Sequence, residues 1–323
     1  MRIVAVTRIL NEDDIVEAFV RHHATLVDHH VFLDNGSTDR TLEILKALHA
    51  EGIPLTVMQN RSVTFCEGQH NTFLFQIAVQ ACGADWVQFL DADEFVNPRG
   101  ISLRELLSHV SPEVAAIKLR LMNYHADARD DAGELLVPAR ITRRARDMPE
   151  VWKVCVRGQN DLGRTTIGEG NHDVLIGGQP APAQQADGLW LAHFPERHPL
   201  QLITKAVIGR LKVLAGGEQV ERLGFSAHYT RFLETMRDSP QDLLRNPALM
   251  GSLNPGVALV DDPMDYAGGP LTLTRADDPT LRAIRFFCAA AEQVARRHGR
   301  LLDENASLRA QTQFWNAEFL RIT

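Results

Sequence analysis

The sequence contains few cysteines and no long apolar run. None of its four cysteines forms a Cys-x-x-Cys pair, which argues against a disulfide framework and against a zinc site. They are Cys66, Cys82, Cys155 and Cys288. No segment approaches the roughly 20 consecutive apolar residues of a membrane span, and the N-terminus lacks a signal-peptide pattern. We therefore expect a reduced, cytoplasmic protein.

An excess of positive charge is also absent. The net charge is −7 over 323 residues, which argues against nucleic acid as the main partner. A polyanionic ligand would have to be held by local cations or by a metal ion. The 45% of hydrophobic residues can fill a substantial core, in one large domain or two smaller ones.

Strand-like and helical patterns alternate over residues 1–113. Strands are predicted at residues 3–6, 30–34, 55–58 and 86–91, with amphipathic helical patterns between them. Such alternation predicts an α/β fold with a mostly parallel central sheet and helices on both faces. We interpret this segment as the first half of a single domain.

From residue 114 onward the pattern changes, and strand-like runs follow one another without helices between them. This predicts a mixed or antiparallel second half of the same domain over residues 114–216, ending in a helix that starts at Pro199. The predicted strands are residues 115–122, 135–141, 151–156, 174–176 and 189–194. Residues 217–323 are predicted to form a helical C-terminal extension.

A cluster of acidic residues directly follows the fourth predicted strand. Asp91, Asp93 and Glu94 lie within four positions and repel one another unless protons or a cation intervene. Oxygen-only ligands suit magnesium, manganese or calcium better than zinc. The alternative is a solvated acidic turn that caps the next helix. As a strand-end residue Asp93 is expected to lie outside the core, so Asp93→Asn should abolish activity without unfolding the chain.

Ligands of open α/β sheets bind at the carboxyl ends of the strands. Thr7, Asp34, Asn60 and Asp91 each end a predicted strand, so we expect them to line one crevice.

Three motifs in this order resemble the family 2 type glycosyltransferases of the GT-A fold. The motifs are Thr7-x-x-x-Asn11-Glu12, Asp34-Asn35-Gly36-Ser37-Thr38-Asp39 and Asp91-Ala92-Asp93-Glu94-Phe95. Later residues, including Lys153, His193 and Lys205, resemble a short bacterial subgroup with an Asp-x-Asp-Glu-Phe centre. The resemblance extends over about the first 215 residues.

The resemblance implies inverting transfer of a sugar from a nucleotide-diphosphate donor, most simply a UDP-sugar, to an acceptor hydroxyl. A divalent cation, Mn²⁺ or Mg²⁺, would bridge the two phosphates. By similarity Asp93 would be the direct metal ligand, and Asp91 would lie near the ribose and reach the metal through water. His193 would be a third contact to metal or phosphate, although a buried core histidine is the alternative.

The resemblance also implies a set of nucleotide contacts. Asp34 would accept a hydrogen bond from the base, Asn60 or Arg61 would flank the base, and Arg197 and Lys205 would neutralise the diphosphate unless they lie on a solvated helix face. The full set is Thr7, Asn11, Glu12, Asp34, Asn35, Asn60, Arg61, Asp91, Arg197 and Lys205.

Inverting transfer needs a general base. Asp173, in a glycine-rich loop before a predicted strand, is the first candidate, with His172 as the alternative and Asp161 and Glu169 still open. Glu94 would either touch the donor sugar or orient its neighbours. The Glu-Asp pair often found at this place in the family is absent.

Heptad spacing marks the C-terminal segment. The first series is Phe287, Val294, Leu301, Leu308 and Trp315, and the second is Ile284, Ala291, His298, Asn305, Thr312 and Phe319. This pattern predicts a helix that pairs with a second copy through residues 281–319, in which a buried Asn305 would set the register, or one that packs on its own domain.

The expected acceptor is a saccharide, a lipid-linked saccharide or a protein, with at most peripheral membrane contact.

Three other functions fit the sequence less well. A haloacid dehalogenase type phosphatase would need Thr or Val in place of Phe95 and its acidic motif on the first strand. A sugar nucleotidyltransferase would need a glycine-rich phosphate loop after the first strand, where residues 7–11 contain no glycine. A non-catalytic nucleotide-binding or scaffold protein would show no donor turnover.

Overall fold

Parallel strands form the first half of the central sheet. The computed structural model describes residues 1–60, 67–127, 129–147, 150–245 and 257–322. The strands are β1 (Ile3–Ile9), β2 (His29–Asp34), β3 (Leu55–Gln59) and β4 (Trp86–Phe89), joined by helices α1 (Val16–His23), α2 (Thr41–Ala50) and α3 (Glu67–Gln80). They lie in the order β4-β1-β2-β3, all paired in parallel, which confirms the predicted α/β class.

Both faces of this half are buried under helices. Ile3 and Ala5 of β1 belong to the same apolar cluster as Phe19 of α1, whereas Val4 lies in a second cluster with Phe75 of α3. Alternate side chains of a strand point to opposite faces, so these two clusters lie on opposite sides of the sheet. The uninterrupted apolar sequence of β1 follows from this double burial.

The second half of the sheet is mixed. Its strands and short helices are β5 (Glu94–Pro98), α4 (Leu103–Ser108), β6 (Ala116–His125), α5 (Val137–Arg140), β7 (Arg143–Ala145), β8 (Trp152–Arg157) and β12 (Ala183–Glu196). β8 pairs antiparallel with β4 and β6, but β12 runs parallel to β6 and antiparallel to β5. Of the two predicted arrangements, mixed or antiparallel, the sheet is therefore mixed.

The strand predicted at residues 135–141 is wrong. The chain forms the short helix α5 there, with a proline in its first turn. Proline fits that position because its fixed φ angle is helical and its missing N–H would have no partner inside the helix. An apolar run of this length does not by itself distinguish a strand from a buried helical turn.

The remaining elements surround this sheet. A small sheet contains β9 (Thr165–Ile167), β10 (Val174–Ile176) and β11 (Gln179–Pro180), and β13 (Leu259–Asp261) pairs with β7. The helices are α6 (Pro199–Ala215), α7 (Glu218–Arg222), α8 (Thr230–Asp238), α9 (Pro240–Arg245) and α10 (Pro279–Ile322). No described helix has the length and apolar character that crossing a membrane requires. Cys82, Cys155 and Cys288 are free thiols, and Cys66 lies outside the described residues.

Glu17 of α1 ties the C-terminal segment to the first half of the sheet. Its carboxylate is 0% exposed and accepts the backbone N–H groups of Thr272 (2.8 Å), Leu273 (3.0 Å) and Thr274 (2.6 Å). Burial opposes ionisation, but these hydrogen bonds outweigh it and lower the pKa of Glu17 to about 2. The segment before α10 is thus attached to the core by a charged, fully hydrogen-bonded anchor.

Buried histidines fill the core between α1 and the sheet. His22 Nε2 donates to the Val96 carbonyl (2.7 Å), and His23 Nε2 accepts the Val96 N–H (3.1 Å). His30 stacks on Phe32, and its Nε2 has no hydrogen-bond partner in the described part of the chain. Burial lowers the pKa of all three histidines, that of His30 to about 3. They are therefore neutral in the folded protein at pH 7.

We expect the fold to lose stability as the pH falls from 6.5 to 4. Within this window the unfolded chain binds protons on histidines of ordinary pKa 6.5, whereas the folded chain does not. From His30 alone, the free energy of unfolding should then fall by about 1.4 kcal/mol per pH unit, and His22 and His23 should add to the fall. Urea unfolding across this range measures the slope. His30→Phe, which keeps the ring contact with Phe32, should reduce the slope by the share of one histidine, and an unchanged slope would contradict this account.

Candidate functional site

A cavity of about 360 Å³ opens at the carboxyl ends of β1, β2 and β4, against one face of α6. It lies where open α/β sheets bind their ligands. Of the residues predicted for the site, those lining the cavity are Asn11, Glu12, Asn35, Asn60, Asp91, Asp93 and Lys205. Of the four strand-end residues expected to line one crevice, Asn60 and Asp91 do so, and the other five are expected from the motif resemblance.

Asp34 and Thr7 do not line this cavity. Asp34 is 0% exposed, and its carboxylate accepts the backbone N–H groups of Gly36 (3.1 Å) and Ser37 (3.0 Å) and the side-chain amide of Gln59 (3.2 Å). These bonds hold the tight turn after β2, and the next residue, Asn35, faces the cavity instead. Thr7 is buried within β1. Arg61 lies outside the described residues.

The charge of Asp91 is neutralised by a buried lysine. Lys153 Nζ lies 2.6 Å from Asp91 Oδ2 and 3.0 Å from Glu94 Oε1, and Arg8 approaches Asp91 to 3.8 Å. Burial opposes ionisation of Asp91, but Lys153 and Arg8 outweigh it and hold its pKa well below the usual range. Asp91 is therefore an anion with one face toward the cavity.

Glu94 turns away from the cavity. It is 1% exposed, and its Oε2 accepts the backbone N–H of Asp91 (3.0 Å). Burial raises the pKa of Glu94 to about 8 against the ammonium group of Lys153, and the carboxylates of Asp91 and Asp93 add to the rise. This geometry favours the second of the two predicted roles, in which Glu94 orients its neighbours.

Asp93 is also buried and paired. Its Oδ2 lies 2.6 Å from Lys205 Nζ and 3.6 Å from Arg197 Nη1, and its Oδ1 lies 3.7 Å from His193 Nε2. Burial opposes ionisation, but the Lys205 ammonium and the other neighbouring cations outweigh it and lower the pKa of Asp93. Since Asp93 is 1% exposed, the expectation that it lies outside the core is wrong.

The carboxylate of Asp93 and the imidazole of His193 fit a divalent cation. His193 Nδ1 lies 2.8 Å from the Asn123 side-chain oxygen and donates to it, so the free lone pair of the neutral ring is on Nε2. Burial lowers the pKa of His193 to about 4, so the ring is neutral at pH 7. A neutral imidazole and a carboxylate oxygen are both ligands for Mn²⁺. Among the described residues, no group of three or more His, Cys, Asp or Glu side chains is arranged to hold a metal ion.

Arg197 joins this cluster to the loop after β1. Its side chain is 1% exposed and pairs with Glu12 and with Asp14 at 2.7 Å, as well as with Asp93. Arg282 of α10 then pairs with Asp14 at 3.1 Å. Arg197 therefore lies behind the cavity wall as a buried link between elements.

One face of α6 forms a wall that the motifs did not predict. The lining residues of this helix are Gln201, Thr204, Lys205, Ile208, Gly209 and Lys212. Their spacing of three and four residues is that of one helical stripe, so extending the stripe from Lys205 could have predicted Lys212. Arg8, Tyr229 and Phe286 also line the cavity, and no local pattern links them to it.

The predicted general-base candidates lie elsewhere. Asp173 pairs with Lys118 at 2.7 Å, and its side chain is 66% exposed. His172 Nδ1 lies 2.6 Å from the Trp152 carbonyl oxygen. Neither residue lines the cavity.

The comparison with family models identifies part of the chain. Residues 6–130 match the family Glycosyl transferase family 2. This confirms the resemblance drawn from the three motifs, all of which lie within the matched residues. The match ends at residue 130, so α6 and α10, which supply part of the cavity, lie beyond it. No curated protein sequence matches the chain.

Solved glycosyltransferase structures resemble the chain at low identity. A glucosyl-3-phosphoglycerate synthase from Mycobacterium tuberculosis, in complex with Mn²⁺, UDP and glucosyl-3-phosphoglycerate, is 22% identical over 37% of this chain and 44% of that chain, with a TM-score of 0.28. A mannosyltransferase from Pyrobaculum calidifontis, in complex with GDP-Man and Mn²⁺, is 13% identical over 78% of this chain and 76% of that chain, with a TM-score of 0.38. The chain spans less than half of the mycobacterial protein's length.

Asp93→Asn is expected to lower the free energy of unfolding by about 3 kcal/mol, because it leaves the Lys205 and Arg197 cations without their shared carboxylate. Urea unfolding at pH 7 measures the loss. Asp303→Asn, on an exposed part of α10, is the control and should change little. Adding Lys205→Met to Asp93→Asn should recover part of the loss. Equal stability of Asp93→Asn and wild type would show that the pairing contributes nothing.

Proposed function

We propose that this protein transfers a sugar from a nucleotide-diphosphate donor to an acceptor hydroxyl, with inversion and with a divalent cation. The observation that supports this most directly is that acidic and basic side chains line the same cavity. Asp91 and Asp93 face the same space as Arg8, Lys205 and Lys212. A site built this way can hold a metal ion and the phosphates of a diphosphate together.

The residues of the cavity suit separate parts of such a donor. Mn²⁺ or Mg²⁺, when bound, would neutralise the negative charge that develops on the leaving diphosphate. Asp93, His193 and Asp91 are the residues that would hold it. On the α6 side, Lys205 and Lys212 supply the positive charge. Lys212 donates to the side-chain oxygen of Asn35. The motif resemblance favours UDP as the nucleotide.

The geometry does not support Asp173 as the general base, because its exposed carboxylate is paired with Lys118 and lies outside the cavity lining. Glu12 and Glu67 are the glutamates that line the cavity, and each pairs with an arginine. The base must therefore come from a residue at the cavity or from movement of the loop at residues 168–173.

Calorimetric titration with UDP, with and without Mn²⁺, tests the proposal. Wild type should bind UDP at least about tenfold more tightly with the metal, and Asp93→Asn should lose this dependence while remaining folded by circular dichroism. Lys212→Met should weaken binding by about tenfold in both conditions, because it removes a charge-assisted hydrogen bond. Asp303→Asn is the control.

Metal-dependent UDP binding without release of a sugar from any nucleotide-sugar would favour a binding protein over an enzyme. Absence of UDP binding would favour a scaffold function. Metal-dependent formation of UDP-sugar from UTP and a sugar phosphate would identify a sugar nucleotidyltransferase instead.

We also propose that α10 pairs with a second copy. Its apolar residues Val294, Leu301 and Leu308 recur every seven residues and are 39%, 38% and 59% exposed. In a parallel pair, the carboxylate of Glu304 on one helix and the guanidinium group of Arg309 on the other would flank the apolar stripe and attract each other. A long helix with such a stripe is stabilised by covering it.

The double variant Leu301→Glu/Leu308→Glu is expected to convert a dimer to a monomer, as measured by light scattering after size exclusion. Ala310→Glu adds a charge on the opposite face of the same helix and should leave the mass unchanged. Charge reversal at Glu304 should weaken the dimer, and reversing Arg309 as well should restore it. A monomeric wild type would reject the pairing without affecting the proposed transferase activity.

A further inference from the structure

A second cavity, of about 170 Å³, adjoins the first. The two cavities share a wall made by Gln201, Thr204 and Phe286. The second cavity lies between the start of α6, the start of α10 and the helix α5. Only this shared wall would separate a group bound there from the candidate donor site.

The acidic residues that line the second cavity are paired with arginines. Each of its three aspartates has an arginine partner within the described part of the chain. The pairs are Asp13 with Arg282 (2.6 Å), Asp14 with Arg197 (2.7 Å) and Asp277 with Arg285 (3.6 Å). Arg197 and Arg282 also pair with carboxylates outside the lining, but the lining itself contains four arginines against three aspartates.

Two further arginines of this cavity have no such partner. Arg140 donates to the backbone carbonyls of Glu134 and Arg197, both at 3.1 Å, and forms no ion pair with any carboxylate in the described ranges. Arg275 lines the same cavity and likewise forms no ion pair with a described carboxylate. Burial lowers the pKa of Arg140 and Arg197 adds to the fall, whereas the more distant carboxylates of Asp14, Asp130 and Glu134 oppose it.

The start of α6 adds to the positive potential. This helix has 17 residues and begins at Pro199, and its N-terminal residues His198 and Leu200 line the cavity. The N-terminus of a helix carries partial positive charge and attracts anions. Arg140, Arg275 and the start of α6 thus line the same cavity.

We propose that the second cavity binds the phosphate group of a small phosphorylated acceptor. This rests on the proposed transferase function, because the shared wall would place the rest of the acceptor toward the donor site. Arg140 and Arg275 would contact the phosphate oxygens. Inorganic phosphate shares this chemistry and is the other possible source of the anion.

Calorimetric titration with inorganic phosphate, in the absence of donor and metal, tests the site independently of sugar transfer. Arg140→Gln and Arg275→Gln should each weaken phosphate binding by about tenfold or more, because each removes a charge-assisted hydrogen bond. Arg275 is exposed, so its variant remains informative if Arg140→Gln is unstable. Arg296→Gln removes the same charge from a 71% exposed side chain of α10 and is the matched control. Failure of wild type to bind phosphate, or binding that neither variant weakens, would overturn the site.

A second titration compares glycerol 3-phosphate with glycerol, which differ only in the phosphate group. Binding of glycerol 3-phosphate alone, weakened by the same two variants, supports an acceptor site. Binding of inorganic phosphate but not of glycerol 3-phosphate would overturn the acceptor assignment. Since neither titration contains UDP, failure of these experiments and failure of the proposed transferase function are distinguishable.

Discussion

The ion pairs of the buried Asp93 carboxylate hold the site together. A charge removed from water is costly unless an opposite charge lies close by, so Asp93 requires Lys205 and Arg197 where they are. Arg197 in turn pairs with Asp14, and Asp14 pairs with Arg282. This chain of contacts connects the end of β4, the loop after β1, α6 and α10. Elements distant in sequence are therefore positioned by the same carboxylate that the proposed function assigns to the metal.

This dependence explains why the site extends beyond the family match. The match ends at residue 130, yet Lys205, Lys212 and Phe286 line the same cavity as Asp91. The first half of the sheet supplies the carboxylates, and the later helices supply cations and an aromatic wall. The region that carries the family motifs thus forms one side of the cavity.

The sequence predicted the parts of the structure that depend on local patterns. The apolar runs and the turn residues located β1 to β4. The rule that ligands bind at strand ends placed Asn60 and Asp91 at the cavity, and the motif resemblance added Asn11 and Asn35. The predictions failed where distant segments decide the outcome. The parallel pairing of β12 with β6, the burial of Asp93 and the inward turn of Asp34 depend on contacts across the fold. The α6 stripe is an intermediate case. Its periodicity can be predicted from the sequence, but the sheet edge that it faces cannot.

The cations that pair with Asp93 differ in their freedom to change partners. Arg197 is 1% exposed and keeps Glu12 and Asp14 even without Asp93, whereas the Lys205 side chain is 36% exposed and lines the cavity. If Asp93 binds a metal in the proposed reaction, Lys205 is the cation that can turn toward the donor phosphates. Arg197 would stay in place and preserve the connection to α10. The same pairs therefore neutralise Asp93 and leave one partly exposed positive charge, that of Lys205, at the cavity.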